Sequence, residues 1–194
     1  MFNHNRGLWG YTGTAADGAP LTIQATGIGG PSAAIVLEEL AVLGLERAIR
    51  VGTAGALVST LAPGELLIVT EAICADGTSR ALGAGERVGA DAALLAALRG
   101  AAPGARTGTI VTSDLFYEDG PGRLDAWRAA GALAVEMEAA ALFATGRRHG
   151  VAVACVVAVT DVLDGPPARL GPEERREAGI AAGRLGAAAL AALG

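Results

Sequence analysis

The sequence predicts one α/β domain over residues 1–194, with a central mixed, mostly parallel β-sheet flanked by helices. Three observations lead there. Strand-like and helix-like segments alternate along the chain, the pattern of layered α/β architecture. The run from Val151 to Val159 is almost continuously apolar, as expected of a strand buried on both faces. Hydrophobic residues make up 52% of the chain but aromatics only 4%, so the core must be built from Ala, Val, Leu and Ile. The length suits a single domain, and no repeat or linker divides it.

The elements follow in order. Leu21 to Thr26 reads as a strand, then a glycine-rich turn and a helix from Pro31 to about Gly44. Pro31 suits a first helical position, and Ile35, Val36, Leu40 and Leu43 share a face. Arg47 to Gly52, Leu66 to Ile73 and Arg106 to Thr112 read as strands, and Asp91 to Arg99 and Arg123 to Ala130 as helices. Ala132 to Val135 and Val151 to Thr160 are strands on either side of a helix from Ala139 to Arg148. Glu173 to Leu193 closes the chain as a long Ala-rich helix. Asp164-Gly165-Pro166-Pro167 is the strongest loop signal, followed by Gly83 to Gly89.

The residue inventory excludes whole classes of chemistry. All 15 basic residues are arginine, which rules out a Schiff-base lysine and a P-loop lysine. His4 and His149 are the only histidines and Cys74 and Cys155 the only cysteines, too few at the wrong spacing for a zinc site. Both cysteines sit in apolar runs and read as reduced core thiols. A net charge of −5 without a basic cluster argues against a nucleic-acid partner. No apolar stretch reaches the roughly 20 residues of a membrane span, and the start lacks a signal-peptide pattern. The expectation is small-molecule chemistry in the cytoplasm, done by carboxylates, arginines, hydroxyls and backbone, with no metal and no organic cofactor.

Glu136-Met137-Glu138 is the most informative segment, because it sets two carboxylates where an apolar strand gives way to a helix. One reading is electrostatic: acidic groups suit the first turn of a helix, where unpaired N–H groups and the dipole favour negative charge. The other is a sugar site, in which a carboxylate at a strand's carboxyl end accepts hydrogen bonds from vicinal hydroxyls beside the apolar wall of Met137. Two glycine-rich turns accompany it, Thr26 to Ser32 and Arg50 to Gly55. Arg50, on an apolar strand, is expected to be buried only against an anion, either a bound ligand or a structural carboxylate.

These residues carry a family resemblance. Asn5-Arg6-Gly7 with Gly10 to Thr14, Thr26 to Ser32, Glu39-Leu40, Ile49 to Ala56, Ser113 to Tyr117, Val135 to Ala139 and Val159-Thr160-Asp161 follow one another as in the nucleoside phosphorylase family. The chain resembles its hexameric purine nucleoside and uridine phosphorylases over nearly its whole length. The resemblance implies the family's α/β fold, a homo-oligomer (a dimer or a trimer of dimers) with shared active sites, and nucleoside and phosphate as substrates. By that resemblance Arg50 and Thr53 bind phosphate, and Arg6 reaches the phosphate of a neighbouring subunit. Glu138, Met137 and Ile28 bind the ribose, while Phe116 and Glu136 border the base. Asp161 protonates or hydrogen-bonds the leaving purine, assisted by Arg175, with Arg176 as the competing assignment.

The chemistry is coherent. Breaking an N-glycosidic bond puts positive charge on the ribose and negative charge on the base; a phosphate dianion relieves the first and an acid the second. Family members carry a strand and a Gly-Asp-Pro loop followed by an arginine upstream of Asn5-Arg6-Gly7, which residues 1–194 do not include. The expectation is retained nucleoside binding with weak or no phosphorolysis. Two alternatives to purine phosphorolysis follow. Uridine phosphorylases usually carry glutamine and arginine after Phe-Tyr plus an insertion; here Arg123 could mimic the arginine, but no glutamine follows Tyr117. A catalytically impaired nucleoside-binding homologue is the other.

Overall fold

The structure is a computed structural model that describes every residue except 2, 16, 17, 118, 119, 166 and 167. A short 3-10 turn at Asn5–Gly7 leads into a hairpin, β1 (Gly10–Thr14) and β2 (Pro20–Gln24), and then helix α1 (Gly30–Val42). Strands β3 (Arg47–Ala56) and β4 (Leu66–Ala75) follow, then α2 (Gly77–Ala81), β5 (Arg87–Gly89) and α3 (Ala92–Ala101). The rest is β6 (Arg106–Ser113), α4 (Arg123–Ala129), β7 (Ala132–Glu136), α5 (Ala139–His149), β8 (Ala152–Val162), β9 (Ala168–Arg169) and α6 (Pro172–Ala191).

The main sheet runs β5-β4-β6-β7-β3-β8-β9, and β4 also pairs with β8. Strands β4, β6, β7, β3 and β8 therefore close into a ring. The β3–β8, β4–β6 and β6–β7 ladders are parallel; β3–β7, β4–β8, β4–β5 and β8–β9 are antiparallel. Closure explains why β8 is apolar on both faces: Val153 to Val159 are buried, with α5 on one side and α3 and α6 on the other. Cys74 and Cys155 are buried free thiols, as expected from their apolar surroundings.

The local expectations are met in part. The strand expected over residues 21–26 is β2, which pairs only with β1, in a separate and largely exposed hairpin. Gly52 to Gly55 is not a turn after a strand; it lies within β3, whose register against β8 shifts between Ala54 and Gly55 because β8 carries one extra residue there, Thr160. The expected loop over residues 83–89 contains β5, a three-residue edge strand too short to show alternation. In the expected loop at 164–167, Asp164 and Gly165 form a bend, and Pro166 and Pro167 lie outside the described residues.

Helix α5 sits deepest, with Ala139 to Gly146 all buried. Its small residues are required by close approach to β8. A Cβ at Gly146 would stand 2.4 Å from Val153 Cγ2 and 2.7 Å from the Val151 carbonyl oxygen. Gly146→Ala is therefore expected to destabilise the fold by about 1–3 kcal/mol, because the helix must shift, despite alanine's better helix propensity. Gly179→Ala in α6, where an added Cβ meets nothing within 4 Å, is expected to stabilise by about 0.5–1 kcal/mol. Urea midpoints of the two variants check the opposite signs.

Candidate active site

The Glu136-Met137-Glu138 segment spans the junction of β7 and α5, and Glu136 fills the electrostatic role expected at a helix start. Glu136 ends β7 with its side chain 1% exposed. Its oxygens accept the backbone N–H of Glu138 at 2.9 Å and of Ala139 at 3.0 Å, the first free donors of α5. Thr112 Oγ1, at the end of β6, donates to Glu136 at 2.6 Å and accepts the Ala140 N–H at 2.9 Å. Glu136 thus performs the helix-start role from just outside the helix. Met137 is half-buried beside it.

Glu138 reaches the loop ahead of α1. Its Oε1 accepts the Gly29 N–H at 2.6 Å, from the Thr26–Gly30 loop ahead of α1. That loop turns through Gly27 at φ 75° and Gly29 at φ 90°, conformations open to glycine. Ser32 Oγ pins it by donating to the Thr26 carbonyl at 2.6 Å. Ile28, between the two glycines, is 81% exposed.

Arg50 joins the two carboxylates. Its Nε donates to Glu136 Oε2 at 2.8 Å and its Nη2 to Glu138 Oε2 at 2.5 Å, with only 10% of the side chain exposed. The guanidinium lies across Gly52, where a Cβ would stand 2.5 Å from Nη1. The anion that the sequence demanded for a buried Arg50 is therefore this carboxylate pair. Burial works against the Arg50 charge, yet Glu136 and Glu138 more than offset it and hold the guanidinium protonated. Burial also raises the Glu138 carboxyl above the ordinary carboxylate range, opposed by Arg50 and the Gly29 N–H. The Cys155 thiol is raised too, chiefly by burial, which keeps it inert.

The other expected site residues are spread around this cluster. Thr53 stands exposed further along β3 and takes no part in it. Phe116 and Tyr117, after β6, are 67% and 89% exposed and pack edge to face with ring centres 5.0 Å apart. Arg6 adopts φ 53° and borders a cavity of about 490 Å³ with Asn3, Ser32 and Glu39. A larger cavity of about 1240 Å³ opens between the hairpin, α1, β3 and α6, and Gly27, Ile28 and Arg50 line it. Within this chain Arg6 and Arg50 thus face different cavities.

Asp161, near the end of β8, was expected beside Arg175. Its Oδ1 instead pairs with Arg169 Nε at 2.8 Å, while Oδ2 accepts Thr160 Oγ1 at 2.7 Å. Arg175 donates through Nη2 to the Leu170 carbonyl at 3.0 Å, and its buried Nε has no partner among the described residues. Sequence reasoning passed over Arg169 because β9 is only two residues long and follows a Pro-Pro loop, where an arginine reads as solvated. It also passed over Thr112, whose only signal was a hydroxyl at a strand end.

Among the described residues, no group of three or more His, Cys, Asp and Glu could hold a metal ion, and no helix is long and apolar enough to cross a membrane. The chain is similar to proteins named as nucleoside phosphorylases. A guanosine phosphorylase of Halorubrum lacusprofundi is 40% identical over 148 residues, 74% of this chain and 61% of that protein. A DeoD-type purine nucleoside phosphorylase of Clostridium novyi is 33% identical over 84% of this chain and 72% of its own length. A uridine phosphorylase of Treponema pallidum is 37% identical over 80% of this chain and 66% of its own length. The chain thus spans somewhat under two thirds of the first and third of these relatives. The sequence profile of the Phosphorylase superfamily matches residues 1–193, and the chain belongs to that superfamily.

Proposed function

We propose that the chain catalyses phosphorolysis of purine nucleosides, giving free base and ribose 1-phosphate or its deoxy counterpart. The observation that carries this reading is the buried Arg50–Glu136–Glu138 cluster. With one guanidinium and two carboxylates it suits a ligand that donates hydrogen bonds and develops positive charge. Ribose does both: its vicinal hydroxyls donate to Glu138, and the sugar ring turns cationic as the glycosidic bond breaks. Met137 and Ile28 flank the sugar. Phosphate approaches from the Arg50 side with Thr53 and, in a homo-oligomer, Arg6 of a second copy. As the ribose hydroxyls engage Glu138, Arg50 Nη2 is freed to donate to phosphate, whose oxygen attacks the anomeric carbon. The C–N bond electrons leave with the base, and Asp161 relays to it a proton taken up from solvent. Phe116 supplies the aromatic surface on which the base rests.

The purine assignment is supported by Asp161 and by the names of the guanosine and DeoD-type relatives. The uridine phosphorylase relative, at 37% identity, keeps a pyrimidine substrate as the second reading. The decisive assay follows base release from inosine, guanosine, adenosine and uridine side by side, with and without phosphate, alongside calorimetric binding of each nucleoside. The expected result is phosphate-dependent release, with purine nucleosides ahead of uridine. Faster turnover of uridine than of every purine nucleoside would overturn the base assignment. Release independent of phosphate would overturn phosphorolysis, and binding without release would identify a nucleoside-binding homologue.

A further inference from the structure

We infer that Arg169 is the positioning residue for Asp161, and that Arg175 acts one step further back by holding the strand that carries Arg169. This rests on the reading of Asp161 as the group that protonates the leaving base. Three observations carry it. Asp161 and Arg169 are opposite each other in the antiparallel β8–β9 ladder, so backbone register as well as charge sets their side chains side by side. The Nε–Oδ1 contact is 2.8 Å, and Thr160 Oγ1 holds the other carboxylate oxygen at 2.7 Å. Both oxygens are thus oriented, one by a cation and one by a neutral donor. Finally, the ladder is extended by Leu170, whose N–H donates to the Thr160 carbonyl at 2.9 Å and whose own carbonyl accepts Arg175 Nη2 at 3.0 Å.

The chemical consequence is specific. When Asp161 has passed a proton taken up from solvent to the base nitrogen, a carboxylate remains, and the Arg169 guanidinium pairs with it as it does at 2.8 Å in this structure. Arg169 itself is 60% exposed and touches no substrate atom in this account, so it contributes almost nothing to stability as a surface ion pair. Its contribution is to orientation and to the charge left after proton transfer.

The test uses the full chain and two substrates, inosine and 7-methylinosine, whose base already carries the positive charge and leaves without needing a proton. Arg169→Ala is expected to lower kcat on inosine by about 10- to 100-fold, as misplacement of a reacting group does, with little change in KM. Turnover of 7-methylinosine should stay near that of the unchanged chain. Arg169→Lys should recover part of the loss. Combined with Asp161→Asn, the alanine variant should be no slower than Asp161→Asn alone, since one acts through the other. Equal slowing of both substrates by Arg169→Ala would mark a merely structural role and overturn the inference. So would unaltered inosine turnover in Arg169→Ala when Asp161→Asn is slow, and that outcome leaves the Asp161 reading standing. If Asp161→Asn itself turns over inosine normally, or if the unchanged chain turns over neither substrate, the parent reading falls and this inference with it.

Discussion

Arg50→Met is expected to destabilise the protein by about 3–5 kcal/mol, the cost of leaving a buried ion pair's partner charge uncompensated. The cause is the two carboxylates left behind, since the Glu136 and Glu138 side chains are only 1% and 8% exposed. Glu136 keeps Thr112 and the α5 amides, so most of the loss should come from Glu138, which is left with backbone N–H donors alone, Gly29 foremost. Urea unfolding at neutral pH reads the effect. The double variant Arg50→Met/Glu138→Gln should recover much of it, because the uncompensated charge is then gone. An Arg50→Met chain as stable as the parent would show that the cluster is held by packing and not by charge. Gly52→Ala should reproduce a milder form, as its Cβ would force the guanidinium off both carboxylates.

The second large effect separates activity from stability. Glu138→Ala is expected to lower kcat/KM for purine nucleosides and uridine alike, because two ribose hydroxyls lose a charged acceptor at about 1.5–3 kcal/mol per hydrogen bond. Stability should change far less than in Arg50→Met, because Arg50 keeps Glu136 at 2.8 Å. The raised Glu138 carboxyl adds a pH signature. Its proton is held more tightly in the folded than in the unfolded state. Its contribution to stability is therefore gained as pH falls from the raised folded value toward the ordinary carboxylate range, and lost again as pH rises through that window. Nucleoside binding runs the other way and weakens on acidification, since the acceptor is the ionised form. Glu138→Gln should flatten both profiles, measured as urea midpoints and nucleoside affinity across pH. A preserved acid limb in Glu138→Gln would assign it to another group. Unequal losses for inosine and uridine in Glu138→Ala would place that residue at the base instead of the sugar.

Much of the fold was legible because its signals are local. The strand over Val151–Thr160 and the helix over Ala139–Arg148 appear at nearly those bounds, as β8 and α5. Asp91 caps α3 by accepting the Ala93 and Leu94 amides, as an acidic residue ahead of an apolar repeat should. The failures came where local signal is thin or misleading. Strands β5 and β9 hold three and two residues, less than one period of alternation can report. Glycines in β3 suggested a turn, whereas Gly52 is there to let Arg50 lie flat.

The sequence by itself determined the kit: arginines without lysine, two carboxylates at a strand-to-helix junction, glycines ahead of α1, and buried thiols. It also determined the alternation of elements, because hydrophobic period and cap chemistry are properties of neighbouring residues. Only the tertiary structure decided who meets whom. Arg50 finds Glu136 and Glu138 across 86 and 88 residues, and Gly29 reaches Glu138 across 109. Asp161 takes Arg169 in place of Arg175 because a two-residue strand lays it alongside. The physical reason is the same in each case. A buried charge must be compensated, but many carboxylates and guanidiniums could do so, and the choice falls to whichever pair the closed ring of strands brings within hydrogen-bond reach.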